Sequence, residues 1–114
     1  MPIFFGMANL QKWLDDAGFD WATGEVFVQF GEDGKHLTGW DDKVSETRKV
    51  ERGDPVLALT FDAGFGGPEC PRFVARDGEA IYFPWQYDGA TGLEKVRLDF
   101  DVYKKGEPAP YPGN

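Results

Sequence analysis

The chain reads as a β-rich α+β domain, with one N-terminal helix packed on an antiparallel sheet or small barrel of five to seven strands. Three observations predict this. Only one helical-period stripe occurs, at Met7, Leu10, Trp13, Leu14 and Ala17. After it come short runs rich in β-branched and aromatic residues, joined by connections of hairpin length. No alternation of strand and helix patterns appears, which sets aside a doubly wound dinucleotide-binding fold. At 114 residues and 41% hydrophobic, the chain suits one domain, taken as residues 1–103, with a proline-rich tail over 104–114.

In order along the chain, the helix has Asn9 or an earlier residue as its cap and Gly18 as its stop. Asp15 and Asp16 fall at its C-terminal end, where the macrodipole disfavours anions, so docking of the apolar stripe must supply its stability. Glu25 to Phe30 (EVFVQF) and Lys35 to Trp40 (KHLTGW), around the turn residues Gly31 to Gly34, form an expected hairpin. Lys43 to Glu51 is polar enough for an edge strand or a loop. Val56 to Phe61 (VLALTF) is nearly all apolar and is expected as a central strand. Residues 63–71, with three glycines and two prolines, form an irregular connection. Arg72 to Arg76 and Glu79 to Phe83 flank Asp77-Gly78, which favours a tight primed turn, and Pro84 confines the second of these strands to an edge or to its own end. Last, Leu93 to Tyr103 alternates strictly. Val96, Leu98, Phe100 and Val102 are expected inside, with Lys95, Arg97, Asp99 and Asp101 on a wet face.

Twenty acids against twelve bases leave a net charge of −8. Residues 1–42 hold eight acids and two bases, while 43–52 are locally basic with two acids and four bases. Such a field repels phosphate backbones and anionic headgroups, so neither direct nucleic-acid binding nor membrane binding is expected. One cysteine, Cys70, cannot form an internal disulfide, and the N-terminal stretch carries no basic, apolar leader pattern, which points to the cytoplasm.

Chemistry finds little purchase. The single histidine, His36, has no evident nucleophile beside it, for neither Ser45 nor Cys70 is brought to it by sequence spacing, and no nucleophile-elbow motif occurs. One Cys and one His cannot build a zinc site of several such ligands, and the loop 64–67 lacks the Lys-Ser/Thr ending of a phosphate cradle. No catalytic residue, metal ligand or cofactor is assigned. Asp99 and Asp101 would share a strand face at roughly 7 Å spacing, a geometry that admits a carboxylate-dependent hydrolase as the lesser reading.

The more informative residues are large rings at strand ends and in loops, several beside carboxylates: Trp21, Trp40 with Asp41 and Asp42, Phe65, and Trp85 with Tyr87 and Asp88. Aromatic surface among acids suits the gripping of a basic protein surface. The expected function is therefore a small acidic, non-catalytic binding protein of the inhibitor, immunity or nucleic-acid-mimic type. The alternative is a small-ligand or carbohydrate-binding module that stacks its ligand on the same rings. The sequence assigns no oligomeric state.

Overall fold

A computed structural model describes residues 7–39, 43–64, 69–87 and 90–110. Its elements run β1 (Met7–Ala8), α1 (Leu10–Asp16), β2 (Glu25–Phe30), β3 (Glu46–Val50), α2 (Pro55–Ala58), β4 (Phe61–Asp62), β5 (Phe73–Arg76), β6 (Ala80–Tyr87), β7 (Ala90–Arg97) and α3 (Asp101–Lys104). The class is the α+β expected, but the sheet stays open instead of closing into a barrel. Five strands in the order β3-β2-β5-β6-β7 make the antiparallel sheet, and β1 and β4 form a separate two-stranded ribbon among the described residues. No helix among the described residues is long and apolar enough to cross a membrane.

One face of the sheet builds the core. Val26, Val28 and Phe30 alternate inward along β2 and meet Phe73, Ala75, Ala80 and Tyr82, while Leu10 and Leu14 of α1 and Leu57 of α2 close over them. Helix α1 begins where expected, with the Lys12 N–H donating to Asn9 Oδ1 at 2.8 Å. It ends at Gly18, whose φ of 81° is the left-handed conformation that lets the Phe19 N–H turn back to Leu14 O at 2.9 Å. Met7 is not on that helix face; it pairs with Asp62 in the ribbon. Trp13 meets Phe61 edge-on at 5.1 Å, so the ribbon and α1 share a contact.

Further expectations are corrected. Val56 to Phe61 is no central strand: Asp54 Oδ1 accepts from the Val56 N–H at 3.0 Å and Pro55 occupies the first turn, so α2 forms and only Phe61 and Asp62 extend. An Asp-Pro helix start outcompetes an apolar run whose period is silent. Lys35 to Trp40 is not a full hairpin strand: its described part folds back on the end of β2 only through the antiparallel bridge of Phe30 with His36, with the Gly31 N–H donating to Lys35 O and the Leu37 N–H to Gln29 O, both at 2.9 Å, while the strands flanking β2 are β3 and β5. The β5–β6 connection is not the primed turn expected at Asp77-Gly78, since Gly78 is not among the glycines of positive φ and the turn closes one residue later, with the Asp77 N–H donating to Ala80 O at 3.1 Å across Gly78 and Glu79.

The last strand stops at Arg97. Asp99 Oδ1 takes the Asp101 N–H at 3.0 Å and starts α3, leaving Leu98 and Phe100 exposed. The phase of β7 is also reversed. Lys95 and Arg97 lie opposite the buried Tyr82 and Ala80, whereas Val96 lies opposite Ile81 on the outer face. Lys95 tolerates this by running its stem across the Tyr82 ring and donating from Nζ to Ala17 O at 3.0 Å, at the negative end of α1. Glu107 is tied to Arg97 at 3.2 Å and its N–H donates to Val102 O, so the chain is anchored some way past the expected start of the tail.

The turn between β5 and β6 is organised by Asp77, a carboxylate only 6% exposed. Its Oδ1 accepts from the N–H groups of Glu79 and Ala80, both at 2.9 Å. Its Oδ2 accepts from the Asp20 N–H at 3.0 Å and the Tyr82 hydroxyl at 2.9 Å. Burial by itself would raise this carboxyl, but the donors at Asp20, Glu79, Tyr82 and Ala80 together outweigh it and hold the group below the ordinary aspartate range. Burial and the neighbouring carboxylate push the Tyr82 phenol the other way, upward.

These shifts set the pH limits of stability. The unfolded state protonates Asp77 first, so its contribution is complete above about pH 4 and is lost as pH falls through the lowered native value. Tyr82 contributes fully below about pH 10 and loses its share above that. Urea titrations across pH should show Asp77→Ala destabilised by about 3–5 kcal/mol at neutrality with a shallower acid slope, and Tyr82→Phe by about 1–2 kcal/mol with a shallower alkaline one. A wild-type acid slope in Asp77→Ala contradicts the account.

Candidate functional site

The β5–β6 ladder ends after Ala75–Tyr82, and the sequence says why. In this register the next hydrogen-bonded pair joins Phe73 to Pro84, and proline has no N–H to donate. β6 nevertheless continues to Tyr87 because its other side pairs with β7 through Pro84–Leu93, Trp85–Gly92 and Gln86–Thr91. A cleft of about 280 Å³ occupies the gap, lined by Gly39, Cys70, Arg72, Pro84, Trp85, Gln86 and Thr91. It gathers three stretches of chain that are distant in sequence.

Among the described residues, Trp85 is the one predicted site residue lining this cleft. It is half-buried, its Nε1 donates to Leu93 O at 3.3 Å, and its ring lies flush against Gly92. A Cβ at Gly92 would stand 2.5 Å from Trp85 Cζ2, so glycine is required for the indole to cross the neighbouring strand. Arg72, which carried no functional signal in the sequence, donates from its guanidinium to Gly39 O at 2.8 Å and pins the opposite wall. Cys70 is buried, and burial pushes its thiol up to about 11, so it sits there protonated and a poor nucleophile at neutral pH. Of these lining residues, Pro84 was the one legible warning, a proline inside a strand-like run.

Trp21 is placed elsewhere. It packs edge-on against Phe19 at 4.9 Å, donates from Nε1 to Asp15 Oδ1 at 2.7 Å, and carries the Arg52 guanidinium over its ring at 5.6 Å. Arg52 also pairs with Asp15 at 3.2 Å, which answers the adverse position of that acid at the end of α1. Trp40, Asp41, Asp42, Phe65 and Asp88 lie outside the described residues, as does the side chain of Tyr87.

The candidate chemistries are separated by geometry. His36 and Ser45 flank Phe30 on opposite sides of β2, so no hydrogen bond joins them. Asp99 and Asp101 do not share a strand face: one closes a turn and the other opens α3, paired with Lys104 at 3.5 Å. Among the described residues no three His, Cys, Asp or Glu side chains group as a metal site needs. Asp77, the buried carboxylate, spends both oxygens on four donors.

Comparison with protein-family models, with curated proteins and with solved structures finds no match. The reading of function therefore rests on the site alone.

Gly92→Ala should displace the Trp85 ring, shift its indole N–H resonance and cost about 1–3 kcal/mol of stability. An unshifted resonance contradicts the ring position.

Proposed function

We propose that this protein is a small acidic, non-catalytic binding protein of the cytoplasm that recognises a basic protein surface, as an inhibitor, immunity factor or nucleic-acid mimic does. The observation supporting this is how the chain disposes of its cations. All five arginines are engaged internally: Arg48 with Glu46, Arg52 with Asp15, Arg76 with Glu25, Arg97 with Glu107, and Arg72 with the Gly39 carbonyl. Glu32, Asp33, Glu51, Glu69 and Glu79 are exposed and form no ion pair among the described residues. In the locally basic segment 43–52 the arginines are thereby spent, and the charges left without an ion pair among the described residues are Lys43, Lys49 and Glu51.

The chain also holds two guanidinium groups by the same combination it would offer a partner. Arg48 sits 4.1 Å above the Phe30 ring while bonding Glu46 at 2.7 Å, and Arg52 sits over Trp21 while bonding Asp15. A ring face with an adjacent carboxylate is a favourable seat for arginine. The Glu46 carboxyl is held below its usual range first by the hydrogen bond from Arg48 and then by its charge.

The cleft at Trp85 favours a second reading, a small neutral or anionic ligand, or a sugar, stacked on the indole beside Arg72. At about 280 Å³ it is at the lower limit of ligand pockets, which run from about 300 Å³ upward. The protein-partner reading therefore stands first.

The immobilised protein should capture basic proteins from native lysate at about 50 mM salt and release them at about 500 mM, where screening shortens the reach of charge to a few ångströms. Recovery of nothing at either concentration removes this reading. Quenching of Trp85 emission by a glycan or metabolite, insensitive to salt, would move the assignment to the cleft.

A further inference from the structure

We infer that the protein forms a two-fold symmetric dimer by stacking the outward faces of two copies of its five-stranded sheet. α1 and α2 contribute Leu10, Leu14 and Leu57 to the core on one side of the sheet. The other side carries Phe27, Val74, Ile81, Phe83 and Val96, with Val74 47% exposed. A groove of about 360 Å³ runs along it between Glu25, Phe27, Val74, Arg76 and Ile81.

The charge pattern of this face selects the occupant. The outward charged residues of its strands are Glu25, Lys49, Arg76 and Glu94, two of each sign, on a chain whose net charge is −8. Most of the molecule repels its own copy, but this face does not. The register also lines up one row across all five strands. Lys49 lies opposite Phe27, Phe27 opposite Val74, and Phe83 opposite Glu94. Continuing the β5–β6 register by one residue sets Val74 in line with Phe83. The row therefore reads cation, three apolar residues, anion, with Val74 at the middle of the middle strand.

Such a row is complementary to itself. A two-fold axis parallel to the strands and passing over β5 lays β3 of one copy on β7 of the other. Lys49 then faces Glu94, Phe27 faces Phe83, and Val74 faces its own symmetry mate. Two twisted sheets stacked with aligned strands, about 10 Å apart, are a common packing for such faces. Neither Lys49 nor Glu94 forms an ion pair among the described residues, so both are available for this contact. The inference is independent of the basic-partner reading, which concerns acids outside the strands of this sheet.

Sedimentation equilibrium of the full chain from about 1 μM to about 1 mM, the range suited to an interface smaller than the standard ~800 Å² per partner, should show a monomer–dimer equilibrium. Val74→Lys sets two ammonium groups against each other on the axis and should leave only monomer, with an unchanged circular dichroism spectrum because the position is exposed. Lys49→Glu and Glu94→Lys should each weaken association roughly 5- to 30-fold, since each variant spoils two symmetry-related pairs, and the double swap should restore it. Monomer at every concentration overturns the proposal. So does a dimer that survives Val74→Lys, or one that the double swap fails to restore, since either would place the contact elsewhere, for instance at the β3 edge.

Discussion

The structure depends on one buried carboxylate. Asp77 collects two N–H groups of its own turn, the N–H of Asp20 beyond α1 and the hydroxyl of Tyr82 on β6. A buried charge with no partners is strongly unfavourable, whereas one with four donors fixes whatever supplies them. Here it fixes the β5–β6 turn and the segment after α1 in one place. Tyr82 then meets Phe19 edge-on at 5.3 Å and Phe19 meets Trp21, so the helix is docked on the sheet through a chain of rings that begins at a hydrogen bond.

The same economy of polar groups shapes the rest of the molecule. Pro84 withholds one N–H, the β5–β6 ladder stops, and the unpaired length of β6 becomes a wall of the Trp85 cleft. Lys95 points toward the core side of β7 and is accommodated because the α1 carboxyl-terminal carbonyls need a cation. In each case a backbone group left over by one element is met, or left open, by a side chain from another. Such matches are made across tens of residues.

The charge surplus is distributed with similar consequence. The arginines are consumed by nearby acids and rings, the outer sheet face balances its signs, and the excess anionic groups fall on turns and loop edges such as Glu32, Asp33 and Glu69. A neutral apolar face and an acidic periphery on one small domain give it two surfaces of different character.

The sequence by itself determined the class of the fold, the start and stop of α1, the presence of strand β2 over Glu25–Phe30, the polar edge-or-loop character of 43–51, and the presence of strands on either side of Asp77. These follow from periodicity, capping and turn chemistry, which act within a few residues and are legible in order. The tertiary structure decided what short-range pattern leaves degenerate: whether the apolar run at 56–61 is helix or strand, which face of the alternating β7 turns inward, and which strand lies beside β2. Of the predicted site, Trp85 is brought to a cleft and Trp21 to a separate cluster. Arg72 and Gly39 become neighbours only through folding. Periodicity specifies that a strand has two faces, but only its partners specify which one is buried.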